Sequence, residues 1–253
     1  MKIHFSIAKN KKSKSASIQL IRLYGQVELP EAEVIVAVGG DGAMLSAMRE
    51  SITFNIPVFG LNRGNIGFLM NDFYELNLID RLQEANEIIV HPLEMIAIDS
   101  KNTKFVELAI NEVSIFRRTH QSAIISIKID DTERLNELTC DGVMVATPVG
   151  STAYNLSAHG PILPIGSEIL ALTPISPFRP RRWRGALIKN NSKVEFNIIN
   201  SKLRPVSASA DSKEVKNIEK VFISQRNDID LRILYDKTNS MEDKYLREQF
   251  SIG

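Results

Sequence analysis

The sequence predicts two domains of different class: an α/β N-terminal domain with an open, mainly parallel sheet, and a β-rich, sandwich-like C-terminal domain. Three observations carry this expectation. Over residues 1–91, short apolar runs alternate with helix-like segments. Near His91-Pro92 the alternation stops, and up to about Ser224 the segments are mostly strand-like. The run "VIVAV" at 34–38 is apolar throughout, as a strand buried on both faces of a parallel sheet would be. The expected division is 1–91, then 92–225, then a tail, 226–253, that packs back on the N-terminal domain.

Taken in order, "KIHFSIA" (2–8) reads as a short strand. "SKSASIQLIRLYG" (13–25) places Ile18, Ile21 and Tyr24 on one helical face and stops at Gly25. After the 34–38 strand, "AMLSAMRES" (43–51) suits a helix and "IPVFGLN" (56–62) a third strand. The stretch 74–89 reads as a helix with Leu78, Leu82, Ala85 and Ile89 on one side, capped by Asn71 or Asp72. In the second domain, strands are expected at 93–100, 104–118, 122–130, 142–148, 193–200 and 220–225, and a short closing helix at 245–251.

Composition narrows the class. The chain has 253 residues, 43% apolar and 24% charged, enough for one large domain or two modest ones with packed cores. Its formal net charge of +1 gives no global attraction to nucleic acid. One cysteine, Cys140, excludes an internal disulfide and a thiolate metal cage and suits a reducing, cytoplasmic setting. The start lacks the long apolar core of a signal peptide, and no segment approaches the roughly 18 apolar residues of a membrane span. Neither nucleic acid nor membrane is expected as a partner.

The chemistry-bearing stretch is "GGDG", Gly39 to Gly42, between the 34–38 strand and the 43–51 helix. Ligands of open α/β sheets bind outside the carboxyl ends of the strands. Glycines let backbone N–H groups approach a ligand, and the positive end of the next helix points there, so the turn suits a phosphate. It is neither a Walker loop nor a dinucleotide fingerprint. Asp41 is the odd member, because a bare carboxylate repels phosphate. It could take a proton from an attacking hydroxyl, help hold Mg²⁺, or simply cap the helix.

Three further stretches stand out. "TPVGSTAYNLS" (147–157) offers a turn at Gly150, hydroxyls at Ser151, Thr152 and Ser157, and the aromatic face of Tyr154, a set that suits a base, a ribose or phosphate oxygens. "INEVSIF" (110–116) interrupts an apolar run with Asn111 and Glu112, which is costly unless they meet a partner. "LNRGNIGFL" (61–69) is a glycine-punctuated loop after the third strand.

In this order the four stretches, with the D-G pair at Asp141 and the "GPILP…LTPISPFRPR" region (160–181), resemble the NAD kinase family from about Ile3 to about Leu234. The GGDG turn alone is shared with lipid and sugar kinases, but its combination with N-E and T-P-x-G-S-T-A-Y is specific. The resemblance implies NAD bound between the two domains and phosphoryl transfer from ATP, or polyphosphate, to the 2′-hydroxyl of the adenosine ribose. It implies Asp41 as the proton acceptor, Asn111 and Glu112 on adenine and the nicotinamide-side ribose, and Phe68 near the adenosine. Gly42, Asp141, Val149, Thr152, Ala153, Tyr154, Asn155, Leu156 and Ser157 complete the implied dinucleotide site, with Gly39, Gly40 and Gly42 facing the phosphate donor. It further implies a divalent cation, Mg²⁺ or another, that comes with ATP rather than in a fixed protein site, and a homo-oligomer, dimer or tetramer. The chain departs from the family pattern at Ala43, often Thr, at Phe178, often His, and at Thr139 and Cys140 just before D-G, where Gly or Arg is usual.

Other features read blandly. The four lysines of "KNKKSK" (9–14) suit a solvated loop, and the four arginines of "RPRRWRG" (179–185) a surface or subunit contact. His4, His91, His120 and His159 show no ligand spacing. Cys140 reads as packed, and Asp130-Asp131 as a turn. Beside the NAD kinase reading stand a lipid or sugar kinase that shares only GGDG, and a nucleotide-sensing module without turnover.

Overall fold

The computed structural model of the chain describes residues 1–64, 67–237 and 241–250; of the last range it describes the side chains of 244–246, 249 and 250. Asn65 and Ile66 of the expected 61–69 loop, and 238–240 and 251–253 of the expected tail, lie outside the described residues. The chain divides into two compact units, one formed by Met1–Val90 with Ile229–Gly253, the other by His91–Asp228.

Unit 1 begins with β1 (Ile3–Ile7), α1 (Lys11–Tyr24), β2 (Val34–Gly39), α2 (Asp41–Ser51), β3 (Val58–Asn62), α3 (Leu78–Glu84) and β4 (Asn86–Val90). Unit 2 holds β5 (Leu93–Asp99), β6 (Lys104–Ala109), β7 (Glu112–Arg117), β8 (Ala123–Ile129), β9 (Thr132–Cys140), β10 (Gly142–Ala146), α4 (Tyr154–Ser157), β11 (Ile169–Ile175), β12 (Ala186–Lys189), β13 (Val194–Ile198), β14 (Val206–Ala210), β15 (Lys213–Lys216) and β16 (Ile218–Gln225). The chain then returns to unit 1 as β17 (Leu231–Tyr235) and α5 (Met241–Phe250).

The unit 1 sheet runs β1-β2-β3-β17-β4. Its first four strands are parallel and β4 is antiparallel to β17. Every residue of β2 is buried, because helices cover both faces of a parallel sheet. Asn10 caps α1 by accepting the Ser13 N–H at 2.8 Å. The buried face of α1 is Ser13, Ala16, Ser17 and Leu20, three small residues and one leucine that joins the core of the unit. Ile18, expected on that face, is 70% exposed; Ile21 and Tyr24 do pack on the core.

The expected helix over 74–89 is corrected by the structure. Only Leu78–Glu84 is helical, and Asn86–Val90 is an edge strand paired with β17. Leu78 and Leu82 are buried as expected, whereas Ile89 is exposed. The helix starts after Asn77, which lies in the left-handed region with no side-chain cap bond, so neither Asn71 nor Asp72 caps it. Sheet pairing takes five residues that helical spacing would have assigned otherwise.

Unit 2 is a β-sandwich. One sheet runs β12-β11-β10-β7-β14-β15 and the other β6-β5-β16-β13-β8-β9. Every pairing is antiparallel. Val113, Ile115, Val143 and Val145 from the first sheet meet Met95, Ile125, Phe196 and Val221 from the second in one core. Alternate residues of each strand face it, the period-two rule of a half-buried sheet. The single strand expected over 104–118 is two strands, with Ile110 and Asn111 in the bend between them. Asp130 and Asp131 both have positive φ, 51° and 61°, at the turn joining β8 to β9. Among the described residues no helix is long and apolar enough to cross a membrane.

Candidate active site

The glycine turn lies between β2 and α2. Gly40 is the N-cap of α2 and Asp41 its first residue. A Cβ on Gly39 would come within 2.6 Å of Ala43 Cβ and 2.9 Å of Ala8 Cβ, so glycine is needed there for close packing. A Cβ on Gly42 would meet nothing within 4 Å. Gly42 is exposed at the positive end of an 11-residue helix, with room for a ligand at its backbone.

Asp41 is the first residue of α2 rather than its N-cap. Its carboxylate accepts the N–H groups of Phe68, at 3.0 Å, and Leu69, at 2.8 Å. Burial pushes its pKa up; those two bonds and the nearby Lys244 ammonium pull it down, and burial wins. The result is a stronger base than an exposed aspartate. Phe68 packs edge-on against Tyr245, ring centres 4.9 Å apart, and Lys244 Nζ donates to the Met70 carbonyl. Below them Tyr235 is buried, its hydroxyl without a hydrogen-bond partner and its pKa well above the usual phenol range.

In unit 2 the bend between β6 and β7 presents Asn111 and Glu112. Asp211, at the end of β14, accepts the N–H groups of Ile110, Asn111 and Glu112 at 2.8, 2.9 and 3.2 Å. Thr147 Oγ1 donates to the Ile110 carbonyl at 2.7 Å, and Thr147 N to the Asn111 carbonyl at 2.9 Å. Gly150 sits so close to this bend that a Cβ there would be 2.1 Å from Asn111 O. The N-E and T-P-V-G motifs are therefore one interlocked structure. Within it, Asn111 Oδ1 and Glu112 Oε2 are buried without hydrogen-bond partners. Burial and then the Asp211 charge push Glu112 up to about 7.

The 149–157 segment divides by orientation. Val149 and Asn155 are buried. Asn155 donates from Nδ2 to Ser151 O and Pro161 O at 3.1 and 2.9 Å and accepts the Thr173 hydroxyl on Oδ1 at 2.6 Å, and so shapes the loop from inside. Thr152, Ala153 and Leu156 are half-buried, and Tyr154 and Ser157 are exposed. The charges of Glu112 and Asp141 both reach Tyr154, whose pKa burial already raises. Asp141 pairs with Arg117 at 2.5 Å. Tyr154, Ser157, His159, Ile175, Arg182 and Arg184 line a cleft of about 640 Å³. Two arginines of the 179–185 run thus border this loop, while Trp183 packs against the sandwich core.

Within unit 1 the structure brings Asp41, Phe68 and the glycine turn together; within unit 2 it brings together Asn111, Glu112, Asp141 and Tyr154. Sequence reading missed Asp211, Lys244 and Arg117. An aspartate followed by serine between two short runs looks like any turn former, and only the fold reveals the three amides it holds. Cys140 is packed, its thiol pushed up to about 12 by burial. Among the described residues, no three His, Cys, Asp or Glu side chains gather as a metal cage.

Residues 4–95 match the ATP-NAD kinase N-terminal domain and residues 110–224 the ATP-NAD kinase C-terminal domain. The chain is 48% identical over 250 residues to the NAD kinase of Caulobacter vibrioides, covering 99% of this chain and 96% of that protein. It is 48% identical over 248 residues to the NAD kinase of Brucella suis, with 98% and 96% covered. With that of Rhizobium meliloti it shares 49% over 239 residues, with 94% and 93% covered. The fold matches yeast NADH kinase complexed with NADH at a TM-score of 0.83 and 20% identity, over 98% of this chain and 86% of that one. It matches an NAD kinase from Archaeoglobus fulgidus in complex with ATP at 0.78 and 24%, over the full length of both.

Proposed function

This chain belongs to the NAD kinase family, and we propose that it transfers the terminal phosphoryl group of ATP to the 2′-hydroxyl of the adenosine ribose of NAD. The products are NADP and ADP. Phosphoryl transfer asks a protein for positioning, charge neutralisation and a proton acceptor. Asp41 takes the proton of the attacking hydroxyl, and the burial that raises its pKa improves it as a base. Gly42 offers the donor phosphates an open stretch of backbone, with Gly40 beside it, whereas Gly39, expected to face the donor, is buried and serves to let the turn pack closely. Phe68 packs near the adenosine.

The observation that carries the dinucleotide reading is the pair of buried, unpartnered oxygens on Asn111 and Glu112. Leaving such atoms unpaired is costly, and an adenine amino group and ribose hydroxyls are suitable donors for them. Asp141, Thr152, Ala153, Tyr154, Leu156 and Ser157 line the rest of the dinucleotide site; Val149 and Asn155 act by fixing the loop. The divalent cation enters with ATP as part of that substrate. This fits an Asp41 whose two oxygens already accept N–H groups. A homo-oligomer, dimer or tetramer, in the cytoplasm belongs to the same proposal. The lone, packed Cys140 suits such a reducing setting.

The test is NADP formation from NAD, ATP and Mg²⁺, with polyphosphate and NADH tried in parallel. Asp41→Asn should keep NAD affinity by calorimetry and lose at least about 100-fold in kcat. Near-normal turnover in that variant would remove Asp41 from the role of base. No NADP from the unaltered chain would favour the sensing module instead.

A further inference from the structure

We propose that α5 is a working part of the catalytic centre, with Lys244 and Tyr245 as positioning residues that brace the turn holding Asp41. This rests on Asp41 being the base. The geometry is a closed circuit of contacts within unit 1. Asp41 is not the N-cap of its helix; its carboxylate is held by the N–H groups of Phe68 and Leu69. The turn that carries those N–H groups has a weak internal bond, Met70 N to Gly67 O at 3.4 Å. Upstream the chain is tied where Arg63 N and Gly64 N donate to Gly39 O, and downstream where Asn71 N donates to Gly60 O.

Between those ties α5 grips the turn at two points. The Tyr245 ring meets Phe68 edge-on, and Lys244 Nζ donates to the Met70 carbonyl. Tyr245 is only 5% exposed, so the ring is packed into the unit rather than laid on its surface. The Lys244 ammonium is also near enough to Asp41 to oppose the effect of its burial. One lysine thus holds the turn and favours the ionised carboxylate that the turn aims. A base must stay within hydrogen-bond reach of the hydroxyl it serves, and misplacement by about 1 Å can cost on the order of 100-fold in rate.

The experiment uses the full chain with NAD and MgATP. Lys244→Met should lower kcat about tenfold or more and leave KM for NAD within about twofold. Lys244→Arg, which keeps the charge and the donor, should recover most of the loss. Tyr245→Leu should behave like Lys244→Met. A readout independent of activity is amide hydrogen exchange. In Lys244→Met and Tyr245→Leu, exchange at Phe68 and Leu69 should rise at least about tenfold while the β2 amides keep their protection. If Lys244→Met unfolds the unit, Tyr245→Leu carries the same test.

Wild-type kcat in these variants, unchanged exchange at 68 and 69, or an Arg variant no better than Met would each overturn the proposal. Asp41→Asn is run alongside. If it keeps turnover, the base reading fails while the exchange data still decide the bracing. If it loses turnover and Lys244→Met does not, the bracing alone fails.

Discussion

At the scale of single residues, Glu112 is the sharpest reporter of the unit 2 site. Its ordinary pKa of 4.5 is pushed up to about 7, first by burial and then by the Asp211 carboxylate. Between those two values the native state holds a proton that the unfolded chain has released. The stability this contributes is fully present below about pH 4.5 and is lost as pH rises through 7. Above that, the ligand-free protein carries a buried charge whose Oε2 has no partner, at a cost of about 3 kcal/mol at most. Glu112→Gln keeps the shape and removes the charge. By calorimetry, the ligand-free variant should melt above wild type at pH 8, with the gap closing toward pH 5. A gap of equal size at both pH values would place the origin of the effect outside this carboxyl. The same substitution should weaken NAD binding, because an amide replaces the carboxylate at the proposed ribose contact.

At the scale of elements, the site in unit 2 is two motifs wedged together. Gly150 touches the backbone of Asn111 where a Cβ would lie 2.1 Å from its carbonyl oxygen. Backbone on both sides leaves no flexible side chain to give way. Gly150→Ala should therefore push the 147–157 loop off the bend and cost about 10–100-fold in kcat/KM for NAD. Steady-state kinetics that match wild type would show that the loop moves freely against the bend. This interlock explains what could be read from the sequence and what could not. Asn111 and Glu112 stood out because they interrupt an apolar run, and "VIVAV" because a parallel strand is apolar throughout. The 86–90 strand was hidden because Leu78 and Leu82 set a helical spacing that Ala85 and Ile89 continue by accident, while pairing with β17 decides the outcome. The strand β9 was missed because its outward residues dominate, and β14, "VSASA", because small residues carry little pattern. Asp211 and Lys244 are invisible in sequence for a related reason. Their partners lie 99 to 101 and 174 positions away, and no local rule spans such distances.

At the scale of the molecule, the two units are built differently along the chain, and that has consequences for their independence. Unit 2 is continuous, His91–Asp228, with its own two-sheet core. Unit 1 is discontinuous and is closed by β17, which enters between β3 and β4. Asn71, fully buried, fastens β17 by donating to Leu234 O at 3.1 Å and accepting from Asp236 N at 2.9 Å. Arg81 adds a two-pronged pair with Asp236, at 2.9 and 2.5 Å. Ending the chain at Asp228 would strip β4 of its sheet partner and remove the buried Leu231, Ile233, Leu234 and Tyr235. Losing even one such side chain costs about 2–5 kcal/mol, against a total stability of about 5–15 kcal/mol for a domain. Unit 1 should then fail to fold, whereas residues 91–228 alone should form a β-protein with a cooperative melt. Hydrogen exchange is the measurement. In the truncated chain, amides of β1 to β3 should exchange freely while those of β8 and β13 stay protected. Retained protection in β1 to β3 would mean that the parallel strands and their helices hold together without the returning strand. NADP formation should vanish with the truncation, because Asp41 and the turn that aims it belong to the unit that is lost.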